Sequence, residues 1–76
     1  MMIAMNERIS IDPKVCHGKP VVKGTRTPVT VILNHLSVGD AAERIAREYG
    51  ITLDDIRACI AFASEELSHL TFQPTA

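Results

Sequence analysis

Residues 49–56 read YGITLDDI and decide the fold. Gly50 is suited to the left-handed backbone that ends a helix, and Thr52 with Asp55 three residues later can form the capping box that begins another. Only Ile51 separates the two signals. The stretch therefore predicts two helices joined by a tight turn, which is the central feature of a helix-turn-helix.

Apolar residues on both sides of this turn recur with the helical period. Before the turn, we expect Asp40 and Glu43 to begin a second helix that Gly50 ends. After the turn, a third helix carries an apolar stripe that comprises Leu53, Ile56, Ile60, Ala63, Leu67 and Leu70. The steps of this stripe alternate between three and four residues, so its mean period suits packing against another helix.

A first helix precedes these two. Thr27 followed by Pro28 suits an N-cap and a first helical residue, because proline lacks only a donor that would be unpaired there. Apolar side chains then follow the helical spacing at Val29, Ile32, Leu33 and Leu36. We expect this helix to end near Ser37, with Gly39 in the left-handed conformation at its exit.

The N-terminal part of the chain is predicted to be strand and loop. Residues 8–11 alternate polar and apolar, and residues 21–23 form a second β-prone run. The prolines and glycines around them keep the strands short or at an edge. Because a two-stranded ribbon is marginal in water, it must pair with a second chain or pack on the helices. The predicted fold is mainly α, with a three-helix core and a short N-terminal β ribbon.

Length and composition limit the classes of protein to which the chain can belong. The chain has 76 residues, of which 46% are hydrophobic and 22% charged, enough for one core. No apolar run approaches the ~20 residues of a membrane span, and two cysteines do not make the framework of a secreted domain. We expect one cytoplasmic domain over residues 1–76, with a ribbon and basic segment at 8–27 and the helical core at 28–70. A core this small favours a homodimer.

Charge is segregated along the chain. Residues 1–27 carry five Lys and Arg against two acidic residues, a net charge of +3, whereas residues 28–76 carry three against seven, a net charge of −4. This asymmetry favours a polyanion or an acidic protein as a partner for the N-terminal third.

Residues 11–29 read IDPKVCHGKPVVKGTRTPV. The Gly-Lys-Pro run followed by Gly-Thr-Arg-x-Pro-Val resembles the signature of family 433 of the domains of unknown function. Gly39, residues 45–46 and residues 49–52 match its second half, so the resemblance covers roughly residues 8–68. It implies homeodomain-like helices with a β segment before them and an antitoxin of VapB type. Such a protein would bind a PIN-type toxin, with operator DNA as a second candidate partner, and the resemblance supplies no catalytic residue.

The third helix would enter the major groove in a homeodomain-like protein, yet it opens with Asp54 and Asp55. Carboxylates in a first turn favour the positive end of the helix dipole, which explains this pair without a role in DNA binding. We therefore predict DNA contacts mainly from the basic segment and the second helix. The candidates are Lys14, Lys19, Lys23, Arg26, Arg44, Arg47 and Arg57. Arg26 has a second interpretation, as an anchor that binds an acidic side chain of the helices.

Other side chains suggest chemistry less strongly. Cys16 and His17 are residue types that zinc prefers, but their spacing fits no zinc motif, and we predict no metal or cofactor. A catalytic set would need a third residue, and neighbours in an extended segment point to opposite faces, so we predict no enzyme. Cys59 is expected to be a buried apolar residue, and His35 to bind the terminal carbonyls of its helix.

Three classes of function stay open at this point. An antitoxin-type regulatory protein is the leading one, a protein-interaction module that does not bind DNA is the alternative, and a small metal protein is the third. Phe72 is the one large apolar side chain after Leu70. It is predicted either to pack on its own core or to bind the toxin.

Overall fold

A computed structural model describes residues 6–70. Its elements, in chain order, are β1 (Ile9–Ser10), a 3-10 turn (Cys16–Gly18), β2 (Val21–Val22), α1 (Val29–Ser37), α2 (Ala42–Tyr49) and α3 (Leu53–Ser68). The predicted mainly α class, with three helices and a short N-terminal ribbon, is confirmed. None of the helices described is both long and apolar enough to span a bilayer.

The ribbon packs on the helices of its own chain. β1 and β2 are antiparallel, with Ile9 opposite Val22. The Val22 N–H also donates to the Thr27 carbonyl at 2.9 Å, so the segment that leads into α1 covers the outer edge of β2. Val22 is 1% exposed and belongs to the core. Of the two outcomes that the sequence left open for the ribbon, the structure therefore shows packing on the helices.

The core lies where β2 and the three helices meet. Its buried side chains are Val22, Val29, Ile32, Ile45, Ile51, Ile56 and Cys59. Within residues 6–70 no polar or charged residue is fully buried. Burial of apolar surface, at roughly 25 cal/mol per Å², is therefore the main force that holds the three helices and the ribbon together.

α1 begins one residue later than predicted. Pro28 has an extended backbone, with a ψ of 144°, and takes the N-cap position that was expected for Thr27, so the first helical residue is Val29. Pro28 also forms a β-bridge with Val21, which requires an extended backbone. The predicted end of α1 and the left-handed Gly39, with a φ of +95°, are confirmed.

The tight turn before α3 is confirmed, whereas the start of α2 differs from the prediction. Asp40 does not cap α2, because its carboxylate binds the ring of His35 at 2.7 Å. At α3, the Thr52 hydroxyl accepts from the Asp55 N–H at 3.0 Å, and the Asp55 carboxylate accepts from the Thr52 N–H at 2.9 Å. Gly50 has the expected positive φ, at +67°.

The apolar stripe of α3 divides into a covered and an uncovered part. Ile56 and Cys59 are buried, and Phe62 packs partly buried against the core. Four predicted members of the stripe are between 39% and 61% exposed, namely Leu53, Ile60, Leu67 and Leu70. The sequence predicted a stripe suited to packing against another helix, and its period alone could not tell which members the core of this chain covers and which stay exposed.

Candidate interaction surfaces

Ion pairs join the ribbon to the N-terminus of α3. Arg8 Nη1 donates to Asp55 Oδ1 at 3.1 Å, and Arg8 Nη2 lies 3.8 Å from Asp54 Oδ2. Arg57 Nη1 donates to Asp54 Oδ1, also at 3.1 Å. The anchor of the ribbon is therefore Arg8, and Arg26, for which an anchoring role was one interpretation, forms no ion pair within residues 6–70.

The environment of Asp55 changes its protonation. Partial burial by itself would raise the pKa of Asp55. Hydrogen bonds from the backbone and hydroxyl of Thr52 and from Arg8, together with the positive charge of Arg8, outweigh this effect and lower the pKa below 3.8. The carboxylate is therefore ionised at neutral pH and available for both of its partners.

Cys59 is buried next to this cluster, as predicted. Its side chain is 0% exposed. Burial, with a smaller effect of the negative charge on Asp55, raises the pKa of the Cys59 thiol to about 11. Because the thiolate is the nucleophilic and metal-binding form, Cys59 serves as a packing residue.

The cations predicted to bind DNA are exposed, and four of them line three different concave surfaces. Lys23 lies in a cleft with Arg57, Lys19 at a groove between α1 and α3, and Arg26 in a third cleft. Within residues 6–70, six of the seven candidates form no ion pair, namely Lys14, Lys19, Lys23, Arg26, Arg44 and Arg47. Phe72, the candidate contact for a partner, lies outside the described residues.

The segment between the strands has a left-handed backbone. The φ angles are +50° at Cys16, +57° at His17 and +82° at Gly18. This corrects the expectation that Cys16 and His17 lie in an extended segment. Positive φ at a residue with a side chain costs about 1–3 kcal/mol, and several hydrogen bonds hold the turn, among them one from the Lys19 N–H to the Cys16 carbonyl at 3.1 Å. The Gly18 N–H donates to the Val15 carbonyl at 3.0 Å, and Cys16 Sγ donates to the Arg26 carbonyl at 3.4 Å.

No metal site is assembled in the part of the chain that the structure describes. No three His, Cys, Asp or Glu side chains lie close enough there to hold a metal ion. Both cysteines are free thiols.

His35 connects the ends of α1 and α2. Its Nδ1 lies 2.7 Å from Asp40 Oδ2, and its Nε2 lies 2.8 Å from the Tyr49 hydroxyl. A neutral ring that donates from Nδ1 and accepts at Nε2 satisfies both partners. The expectation that His35 binds terminal carbonyls was wrong. Helical spacing identified Tyr49 only as an apolar residue of α2. Its hydrogen bond was not predicted, because the partner, His35, lies 14 positions away in the sequence.

An apolar groove of about 470 Å³ runs between α1 and the C-terminal half of α3. The apolar side chains that line it include Val29, Leu33, Phe62, Ala63 and Leu67. Lys19 and Glu66 also line the groove, and neither forms an ion pair within residues 6–70. Sequence reasoning singled out Leu67 by its period but missed the groove, because the opposite wall belongs to another helix.

Comparisons with known proteins agree on the family and the fold. The family model described as "Protein of unknown function (DUF433)" matches residues 9–63. A DUF433 member protein from Anabaena variabilis is 25% identical, with a TM-score of 0.75 over 84% of this chain and 64% of that one. Rv2018 from Mycobacterium tuberculosis is 31% identical, with a TM-score of 0.63 over 68% of this chain and 24% of that one. The chain thus spans less than two thirds of either neighbour, and no curated protein matches it.

Proposed function

The chain belongs to the DUF433 family, and we propose that it is a non-enzymatic regulatory protein of antitoxin type. In this proposal it acts as a homodimer in the cytoplasm, where both cysteines stay reduced, and binds a PIN-type toxin. Operator DNA is a second candidate partner.

The exposed apolar residues of α3 carry the proposal. Leu53 and Ile60 lie seven residues apart, on the same face of α3, and are 39% and 48% exposed. Grouped apolar surface of this kind marks protein interaction sites, whereas single exposed apolar residues are ordinary. A helix with such a face is also a standard element for docking into a partner's groove, with anchors one or two turns apart. Protein binding is therefore the activity that the geometry supports best.

Charge at the start of α3 favours a protein partner over DNA for that helix. Asp54 and Asp55 lie in the first turn, and Arg8 and Arg57 already form ion pairs with them. A phosphate that approached this end would meet a neutralised surface with little net positive charge. The N-terminus of α3 is thus poorly suited to bind in a groove of DNA.

DNA binding is kept as a second candidate for one reason, which is the exposed cations of the basic segment. Lys14, Lys19, Lys23 and Arg26 form no ion pair within the described residues. A dimer would present each of them twice, and eight phosphate contacts limit the slope of log affinity against log salt to about −7. A protein-interaction module without DNA binding is the alternative if these cations bind no phosphate.

The test of toxin binding uses a purified PIN-type nuclease encoded next to this protein. We expect a stable complex and inhibition of the nuclease at equimolar ratio. Replacing Ile60 by Glu should weaken the complex, whereas Val38→Glu, at a 77% exposed position outside α3, should not. Absence of both complex and inhibition would overturn the proposal.

The test of DNA binding is a titration at several salt concentrations, with DNA from upstream of the protein's own gene. Lys23→Ala combined with Arg26→Ala should flatten the salt slope by up to about 3.6, because two contacts are lost from each of two chains. Arg57→Ala is the control and should change the slope less, since Arg57 is paired with Asp54. Binding that does not depend on salt, or no binding below about 100 μM, would leave the interaction module as the function.

A further inference from the structure

We propose that the groove between α1 and the C-terminal half of α3 is the surface through which two copies of this chain associate. The inference rests on the dimeric state in the proposed function and assigns it to particular residues. Each copy would insert Leu67 of α3, and Leu70 just after the end of that helix, into the groove of the other. The contact is two-fold symmetric, so the same patch serves both copies.

Helix lengths explain why this end of α3 lacks a cover. α1 has nine residues and α2 has eight, so they are about 14 and 12 Å long, whereas α3 has 16 residues and is about 24 Å long. The last fully buried residue of α3 is Cys59, near its middle. The two turns that follow Phe62 therefore extend beyond the core.

The surface left by this extension is apolar and continuous. Ala63 and Leu67 line the groove together with Val29 and Leu33 of α1. Leu67 is 61% exposed, and Leu70, one turn further along, is 55% exposed. Ala63, Leu67 and Leu70 keep the three- and four-residue steps of a helix that packs against another helix.

The charges that line the groove identify a second copy as its occupant. Lys19 and Glu66 supply one charge of each sign, and neither forms an ion pair within residues 6–70. In a two-fold contact, Lys19 of one copy approaches Glu66 of the other, and the same pair forms a second time by symmetry. A nucleic acid or a strongly acidic protein would instead be met by groove charges of one sign.

The ribbon is the other candidate for a dimer contact, but it offers a smaller surface for association. The outer edge of β2 is occupied by the hydrogen bond from Val22 to Thr27. β1 has an open edge of only two residues, Ile9 and Ser10. An edge this short supplies few hydrogen bonds to a neighbouring strand. The groove is therefore the larger unsatisfied surface of the described chain.

The sharpest experiment exchanges the two charges. We expect Lys19→Glu and Glu66→Lys each to weaken the homodimer about tenfold or more, because each places like charges together at two symmetric positions. Mixing the two variants should restore association, since both intermolecular pairs are then of opposite sign. Native mass spectrometry with one variant ¹⁵N-labelled would measure the heterodimer. A share of heterodimer no larger than random pairing of the two variants would give would overturn the inference.

A second experiment tests the apolar lining of the groove. Leu67→Glu should abolish the dimer in sedimentation equilibrium at 100 μM chain, a concentration about 100 times a Kd of 1 μM. Val38→Glu is the matched control, because Val38 is 77% exposed and lies outside the groove, and it should leave the dimer intact. Thermal melting of both variants would show that they fold. A dimer that survives Leu67→Glu would overturn the inference.

A third experiment addresses the chain's own C-terminus as an occupant. A chain that ends at residue 70 should dimerise with the affinity of the full chain. Dimerisation that appears only after this truncation would show that residues 71–76 cover the groove and would overturn the inference. A full chain that is monomeric at 100 μM but still inhibits the nuclease would overturn the inference and leave the proposed toxin binding in place.

Discussion

The two halves of α3 differ in what covers them. In the first half, Ile56 and Cys59 are buried and the carboxylate of Asp55 is bound by Arg8 and Thr52. In the second half, Leu67 is 61% exposed and Glu66 forms no ion pair within residues 6–70. The two halves share one apolar period, yet only the first half contains fully buried side chains. The comparison teaches that the stability of this domain and its capacity to bind partners reside in different halves of one helix.

Truncating an apolar side chain in each half should give the largest contrast. Ile56→Ala removes a side chain that is 2% exposed and should lower the free energy of unfolding by about 2–5 kcal/mol. Leu67→Ala should lower it by no more than about 0.5 kcal/mol in a monomer, because this side chain contacts little of its own core. Urea unfolding at a chain concentration below the dimer Kd would measure both. Equal effects would show that the C-terminal half is covered within the chain.

Side-chain hydrogen bonds at the two ends of α3 should give a smaller difference in stability of the same kind. Thr52→Ala removes the hydroxyl that accepts from the Asp55 N–H and should cost about 1 kcal/mol. Ser68→Ala, at the other end of the helix, removes a hydroxyl that donates to the Glu65 carbonyl at 2.6 Å in an exposed position. That change should stay within about 0.5 kcal/mol. Thermal unfolding with circular dichroism is sufficient to compare the two variants.

Low pH should lower the stability of the first half of α3 through protonation of Asp55. Its pKa is below 3.8 in the folded state, so the unfolded chain binds the proton more tightly. The stability that Asp55 contributes is thus present above pH 3.8 and lost as the pH falls through the folded value. Urea midpoints between pH 2 and 5 should show this dependence, and Asp55→Asn should reduce it. An unchanged pH profile in that variant would mean that Arg8 and Thr52 do not hold the carboxylate.

The smallest effect is expected for the exposed ion pair within α3. The side chains of Arg57 and Asp54 are 76% and 61% exposed, so solvent screens their attraction. Arg57→Ala should change the free energy of unfolding by less than about 0.5 kcal/mol. A loss above about 1 kcal/mol would indicate that Arg57 also packs against the ribbon and that the first half depends on it.

The sequence suggested Arg26 as the anchoring arginine, whereas the structure shows Arg8 in that role. Arg26 and Arg8 both belong to the basic N-terminal third, and nothing local distinguishes them as partners for the acidic start of α3. The structure places Arg8 beside Asp55, 47 positions away, because β1 lies next to that end of the helix. A contact between residues so far apart depends on how the ribbon docks, which no short stretch of sequence encodes.

The sequence by itself determined where the helices end and which class of fold they make. Gly50 and the pair of Thr52 and Asp55 lie within six consecutive residues, so backbone geometry and capping chemistry suffice to predict the turn. Only the tertiary structure decided which apolar residues of α3 are covered, since burial of Ile56 and exposure of Leu67 depend on the shorter lengths of α1 and α2. Local hydrogen bonds follow from neighbours in sequence, whereas burial follows from the distance that other elements reach in space.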